Sequence, residues 1–138
     1  MDLDAVLALW DQPIEQRDDP VADFRRCYAD PVTVNGVPAT AEQLVQRARA
    51  LQVAFAERRT ELVHRVEAGD KVVIGFYMHV RHVGPYETAF GRVEATERQL
   101  RIRVNDILTV RDGLIVDIWV MRDDADLLRQ LDRLPSSV

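Results

Sequence analysis

The chain has 138 residues, 47% of them hydrophobic, and a formal net charge of -5, enough for one sizeable core but too short for two ordinary domains. Acidic and basic residues are interspersed from end to end, with no basic stripe to follow phosphates or an anionic membrane surface, so neither nucleic acid nor membrane is an expected partner. The only cysteine, Cys27, has no internal partner, the start Met1-Asp2-Leu3-Asp4 is acidic, and no apolar run is as long as a membrane span; one cytoplasmic domain over residues 1–138 is the expectation.

Leu3, Val6, Leu7 and Trp10 recur at helical spacing behind the caps Asp2 and Asp4, so the chain opens with a helix. Asp19-Pro20 starts a second, with an N-cap aspartate, a proline at the first helical position and a stripe of Val21, Phe24 and Tyr28. Asp30-Pro31 is expected to end it. Val32-Thr33-Val34 reads as a short strand closed by the turn Asn35-Gly36. Thr40 and Gln43 form a capping-box pattern before Ala41, Leu44, Val45, Ala48, Leu51 and Phe55, all on one helical face.

After Arg58-Arg59 the period becomes alternating, with Leu62, His64, Val66 and Ala68 on one face and Glu61, Val63, Arg65 and Glu67 on the other. Gly69-Asp70 turns the chain into a strand from about Lys71 to His82. A further strand runs from about Gln99 to Val110, Asp112-Gly113 turns it, and a last strand runs from Leu114 to about Met121. A closing helix carries Leu127, Leu128, Leu131 and Leu134 and stops near Pro135. Helices first, then a four-strand meander joined by tight turns, favour an α+β fold over alternating parallel units. The expected shape is a cone, an α+β barrel with helices packed in the concave face of a curved antiparallel sheet, around a pocket for a small organic molecule.

Polar groups on apolar faces point to that pocket. Ile102, Val104, Asp106, Leu108 and Val110 share one strand face, and an ionised carboxylate there costs several kcal/mol unless it is paired or hydrogen-bonded. Asp106 is therefore either satisfied or has a raised pKa. His82 continues the apolar face of Val72, Ile74, Phe76, Met78 and Val80, and His64 sits among Leu62, Val66 and Ala68. Convergent polar groups among apolar walls are what a small-molecule site needs.

Each group also has a structural role to weigh: Asp106 held by a helix end or an arginine, His82 bonded to the loop Val83-Gly84-Pro85-Tyr86, His64 packed as an ordinary half-buried histidine. Asp123 suits an N-cap for the closing helix, and Trp119 suits a large core position. His79 falls with Tyr77 and Arg81 on the opposite face. No Gly-rich phosphate loop, metal-ligand spacing or nucleophile elbow is present, so neither metal nor cofactor is expected.

The pieces Glu67-Ala68-Gly69-Asp70-Lys71-Val72-Val73, His82-Val83-Gly84, and Asp112-Gly113-Leu114-Ile115-Val116-Asp117-Ile118-Trp119, with Asp123 and Leu127-Leu128-Arg129-Gln130-Leu131, resemble the SnoaL-like polyketide cyclases. These belong to the NTF2-like superfamily, with ketosteroid isomerase and limonene epoxide hydrolase as distant relatives. The resemblance implies a cone-shaped fold, often homodimeric, and cofactor-free aldol cyclisation. It places the family's aspartate base on Asp123 and the histidine of its Gly-Thr-His-x-Gly segment on His82. Val80 and Arg81 replace the Gly-Thr, Asp132 stands where the family's Gln-Leu-Gly ends, and Arg92-Val93-Glu94-Ala95-Thr96 replaces its Pro-Thr-Gly loop.

The resulting expectation is a cofactor-free enzyme of secondary metabolism that abstracts a proton next to a carbonyl of a small hydrophobic substrate. Asp123 or Asp106 is the base, and His82 or a protonated Asp106 the donor to the enolate oxygen. The substrate is lined by Trp119, Phe76, Met78, His64, Tyr28 and Phe55, under a loop carrying Tyr86 and Phe90. Two alternatives stand beside it: a non-catalytic binder of hydrophobic metabolites, and an interaction module whose interior is filled by its own side chains. Tyr77, His79, Arg101, Arg103 and Asn105 are expected on a sheet-face homodimer contact.

Overall fold

The computed structural model describes residues 1–133. The capping residues read from the sequence start the helices. Asp2 accepts from the Ala5 amide at 3.2 Å at the head of α1 (Leu3–Asp11) and Asp19 from the Ala22 amide at 3.0 Å at the head of α2 (Pro20–Arg25). Thr40 and Gln43 close a reciprocal capping box on α3 (Ala41–Ala54), with bonds of 3.1 and 2.9 Å. Such local bonds satisfy amides that the first helical turn leaves free, so they act wherever the residues occur.

Beyond α2 the outcome differs from the expectation. The helix ends at Arg25, and Tyr28 opens β1 (Tyr28–Val34). Asp30-Pro31, expected to stop the helix, lies inside that strand, joined by a cis peptide bond. β2 (Val37–Ala39) folds back on β1 across Asn35-Gly36. α3 stops one residue before Phe55, which begins β3 (Phe55–Ala68). β4 (Lys71–His82), β7 (Gln99–Arg111) and β8 (Leu114–Arg122) follow, with a small hairpin of β5 (Tyr86–Thr88) and β6 (Gly91–Val93) inserted between β4 and β7. The short α4 (Asp124–Gln130) follows β8; Leu134 and Pro135 lie outside the described residues.

The main sheet is curved and runs β2-β1-β8-β7-β4-β3, antiparallel except where β1 lies parallel to β8. Helices cover its concave face. The expected apolar faces of β4 and β7 meet there, with Val72 beside Leu108, Phe76 beside Val104 and Met78 beside Ile102. The core divides in two. α1, α2 and α3 bury Val72, Ile74, Leu108, Ile115 and Ile118. Leu127, Leu128 and Leu131, with Phe55 and Tyr86, bury Met78, Val80, Leu100, Ile102 and Val104. Phe76 and Val120, both half-buried, pack against both clusters and form the seam.

β3 departs from simple alternation. Leu62 pairs with Phe76 and His64 with Gly75, so an extra residue, Val63, is inserted between them. A bulge of this kind moves everything beyond it to the other face. Leu62 stays on the concave side, while His64 and Val66 turn to the convex side, and all of residues 61–70 are exposed.

Glycine has a defined task at Gly84. A side chain there would place its Cβ 2.3 Å from the Val53 carbonyl oxygen, because the chain leaving β4 is tied to the end of α3 through amides of Val83 and Gly84 bonded to the Ala54 oxygen at 2.8 and 3.1 Å. Only glycine permits that approach.

Candidate active site

β7 places Asp106 on the concave face between Ile74 of β4 and Val120 of β8. Its neighbours along β7 on that face, Val104 and Leu108, belong to different core clusters, so the carboxyl stands at the seam. Among the described residues, its buried Oδ1 has no hydrogen-bond partner. Desolvation by these apolar surroundings pushes its pKa up to about 7, because the charged form loses water and gains no counterion. Of the two possibilities read from the sequence, the carboxyl is unsatisfied with a raised pKa.

Tyr28 lies beneath the helices, its hydroxyl accepting a 2.8 Å bond from Trp10 Nε1. Burial raises the pKa of that phenol, and the Asp106 charge raises it further. Phe24 packs against both rings, edge-on to Trp10 at 5.4 Å and stacked on Tyr28 at 5.9 Å. Asp106, Phe76 and Tyr28 are thus the expected residues that belong to the seam region.

His82 belongs to a different region. It sits eight residues along β4 from Ile74, the partner of Asp106; at about 3.3 Å per residue the separation along the strand is over 20 Å. Its imidazole is completely buried, with Nδ1 bonded to Thr96 Oγ1 at 2.9 Å and Nε2 unpartnered among the described residues. Burial pushes its pKa down, opposed by the Gly84 backbone and Glu97. Phe55 packs beside it at 5.8 Å and against Tyr86 at 4.7 Å. Met78 is buried in the same cluster. The Tyr86 hydroxyl accepts from Arg122 Nη1, and burial pushes its pKa up to about 12.

Asp123 caps α4, accepting from the Asp126 amide at 3.0 Å, and faces Arg103 at 3.9 Å. Its backbone amide bonds the Arg103 oxygen, three residues beyond the row of Asp106. The three expected polar groups therefore do not converge on one point. Trp119 and His64 need correction as lining residues. Trp119 pairs with Ile107 on the convex face and is 58% exposed, because the register that turns Ile118 and Val120 inward turns residue 119 outward. The Val63 bulge puts His64 on the same open face. Phe90, at the tip of the β5–β6 hairpin, is exposed rather than folded over a mouth.

The sequence reading passed over Arg58. It enters β3 just after Glu57, whose φ of 53° marks a second irregularity. Its side chain is 6% exposed, and the nearest counterion is Asp11, at 3.6 Å from Nη2. Desolvation pushes its pKa down, Asp11 opposing. Arg58 borders an open cleft of about 370 Å³ whose walls also include Asp11, Pro13, Gln52, Phe55, Ala56 and Glu57. A second cleft of about 210 Å³ lies at the β3–β4 turn, around Met1, Asp70 and Val110. Neither contains Asp106, His82 or Asp123. Among the described residues, no group of three or more His, Cys, Asp or Glu is placed to hold a metal ion, and no helix is long and apolar enough to cross a membrane.

The family model for SnoaL-like polyketide cyclases matches residues 5–131. The chain belongs to that family. Its fold is the NTF2-like one, as solved structures also indicate. TsrD from Streptomyces laurentii is similar, with a TM-score of 0.79 at 22% identity over 96% of this chain and 92% of that one. A SnoaL-like polyketide cyclase from Agrobacterium tumefaciens gives a TM-score of 0.74 at 16% identity, over 95% and 99%. IdmH from Streptomyces antibioticus, a candidate polyketide cyclase, gives 0.71 at 20%, over 94% and 97%. At these identities the likeness is one of fold. A search of curated proteins by sequence found no match.

Proposed function

We propose that this SnoaL-like chain, one domain acting in the cytoplasm, is a cofactor-free enzyme that abstracts a proton next to a carbonyl of a small, mainly apolar polyketide-type substrate. Asp106 is the general base. The observation that carries the reading is the unpartnered Asp106 oxygen at the seam of two apolar clusters. A pKa of about 7 leaves the group about half ionised at neutral pH, where a base combines availability with proton affinity. Ketosteroid isomerase, a distant relative in the same superfamily, relies on the same dependence of carboxyl pKa on apolar surroundings. Phe76 and Val120 supply the apolar walls. In this reading Asp123 positions α4.

The test needs no knowledge of the product. Deuterium exchange at the methylene of an aromatic β-keto ester, followed by NMR in heavy water, reports proton abstraction alone. Acceleration by the wild-type chain, lost in Asp106→Asn and retained in Asp123→Asn, is the expected pattern. Equal exchange in Asp106→Asn and wild type refutes the assignment.

A second reading, a non-catalytic binder of hydrophobic metabolites, is favoured by one observation: His82, Asp106 and Asp123 do not surround a common point. Saturable binding of the keto ester without exchange supports it. We also propose a homodimer through the convex face. Val66, Val73, Ile107 and Trp119 form an exposed apolar row across four strands there, and monomodal light scattering at the monomer mass removes that dimer.

A further inference from the structure

Among the buried side chains of the described residues, Arg58 has the most nitrogens without a hydrogen-bond partner. A guanidinium has five N–H donors and keeps its charge throughout the accessible pH range. All three Arg58 nitrogens are buried without a hydrogen-bond partner. Arg17, largely buried, shows a more usual outcome: Nη1 donates to Asp23 at 3.0 Å and Nη2 to the Ala8 oxygen and to Gln12, both at 3.1 Å, so that only its Nε lacks a partner. Asp11 does not play that part for Arg58. Its Oδ1 stands 3.6 Å from Nη2, too far for a hydrogen bond, while its Oδ2 accepts from Thr60 Oγ1 at 2.7 Å.

The place is built rather than accidental. Arg58 follows the irregularity at Glu57, and the cleft beside it is lined by the apolar Phe55, Pro13 and Ala56 and by two carboxylates, Asp11 and Glu57, the second of which is paired with Arg81 at 3.4 Å. Gln52 is already engaged, accepting from the Ile14 amide at 2.9 Å and donating to the Gln12 oxygen at 2.8 Å, so it holds the cleft's wall in position. Buried donors left without acceptors are rare in folded proteins, and a guanidinium fork matches the two oxygens of a carboxylate.

We infer that the Arg58 cleft is a binding site for a small organic carboxylate, its two oxygens taken by the Arg58 guanidinium and its apolar body laid against Phe55, Pro13 and Ala56. Arg58 is near Val80 rather than Ile74 in the strand register, so the site stands apart from Asp106 and does not depend on proton abstraction there. A substrate or product acid, or a separate effector acid, meets the same chemistry.

The experiment is an NMR titration of the isotope-labelled full chain with 2-naphthoate and, in parallel, its neutral twin 2-naphthamide. Saturable shifts at the amides of Gln52 and residues 55 to 58 are expected with the acid, and at least tenfold weaker binding with the amide. Arg58→Met loses at least tenfold in naphthoate affinity without a lower melting temperature, and Arg58→Lys falls between. Asp11→Asn, which removes the carboxylate nearest the Arg58 guanidinium and leaves Glu57 paired with Arg81, tightens naphthoate binding severalfold. Equal binding of acid and amide overturns the inference, as does undiminished binding by Arg58→Met or no saturable binding. Should Arg58→Met not fold, unchanged or weaker naphthoate binding by Asp11→Asn overturns it by itself.

Discussion

Asp106 and Ile107 are neighbours on β7, and each stands where the other's chemistry belongs. The acid points to the face covered by helices and the isoleucine to the open face, where Val66, Val73 and Trp119 continue its row. Two rows down, alternation is ordinary, with Ile102 and Val104 inward and Arg101 and Arg103 outward. The reversal is therefore local. A folding requirement alone would place isoleucine inside and aspartate outside, so both faces carry a cost in stability at the same level of the sheet. That is the pattern expected where a site or a contact has been placed on a scaffold.

The largest effect should come from removing the inward acid. Asp106→Asn is expected to slow deuterium exchange of the keto ester by about 10²–10⁴, the usual contribution of a positioned base. The wild-type rate should rise with pH through an inflection near 7. A flat profile would detach Asp106 from the chemistry.

The same substitution should make the protein more stable. The folded-state pKa of Asp106 is raised to about 7 over an unfolded value of about 3.9. The stability linked to its proton is fully present below about pH 4 and is lost as pH rises through about 7. Asp106→Asn should therefore gain up to about 4 kcal/mol over wild type at pH 8 and nothing near pH 4, read from urea melts at both pH values. A loss of stability at pH 8 would mean that the carboxylate has a partner in solution.

On the open face, Ile107→Asp combined with Trp119→Ala should weaken the proposed dimer at least tenfold by sedimentation, with circular dichroism unchanged. Unchanged mass would leave the outward apolar row without that explanation. The smallest effect is expected at the rim: Asp123→Ala should cost about 1 kcal/mol through loss of the α4 cap, with deuterium exchange altered less than threefold. A larger rate loss there would return the base to Asp123.

What the sequence disclosed was whatever depends on near neighbours. Thr40 with Gln43, Asp19 with Pro20, and the turns at Gly69-Asp70 and Asp112-Gly113 act through bonds a few residues long, and the helix starts and strand turns they set lie where the pattern places them. Asp106 was visible as a polar group on an apolar face because β7 runs without a break in its pairing to β4. His64 was misplaced because the Val63 bulge is set by pairing with β4, and nothing local in Leu62-Val63-His64 announces it. Trp119 reads as inward because a large aromatic suits a core position, and only the pairing with β7 fixes the parity that turns it outward. Arg58 reads as half of the charged pair Arg58-Arg59, since the carboxylate beside it, Asp11, comes from α1, distant in the chain.

The two outer strands of the sheet carry a further consequence. β2 is three residues long and contains Pro38, and β3 is interrupted twice and carries Arg65 and Glu67 beyond its second bulge. A long, flat, apolar margin would invite another chain to extend the sheet by its backbone, the first step toward fibrils. Here one margin is too short and the other too irregular and too charged to be copied. The displacement that hid the orientation of His64 also helps a protein with an apolar outer surface to stay dispersed at high concentration.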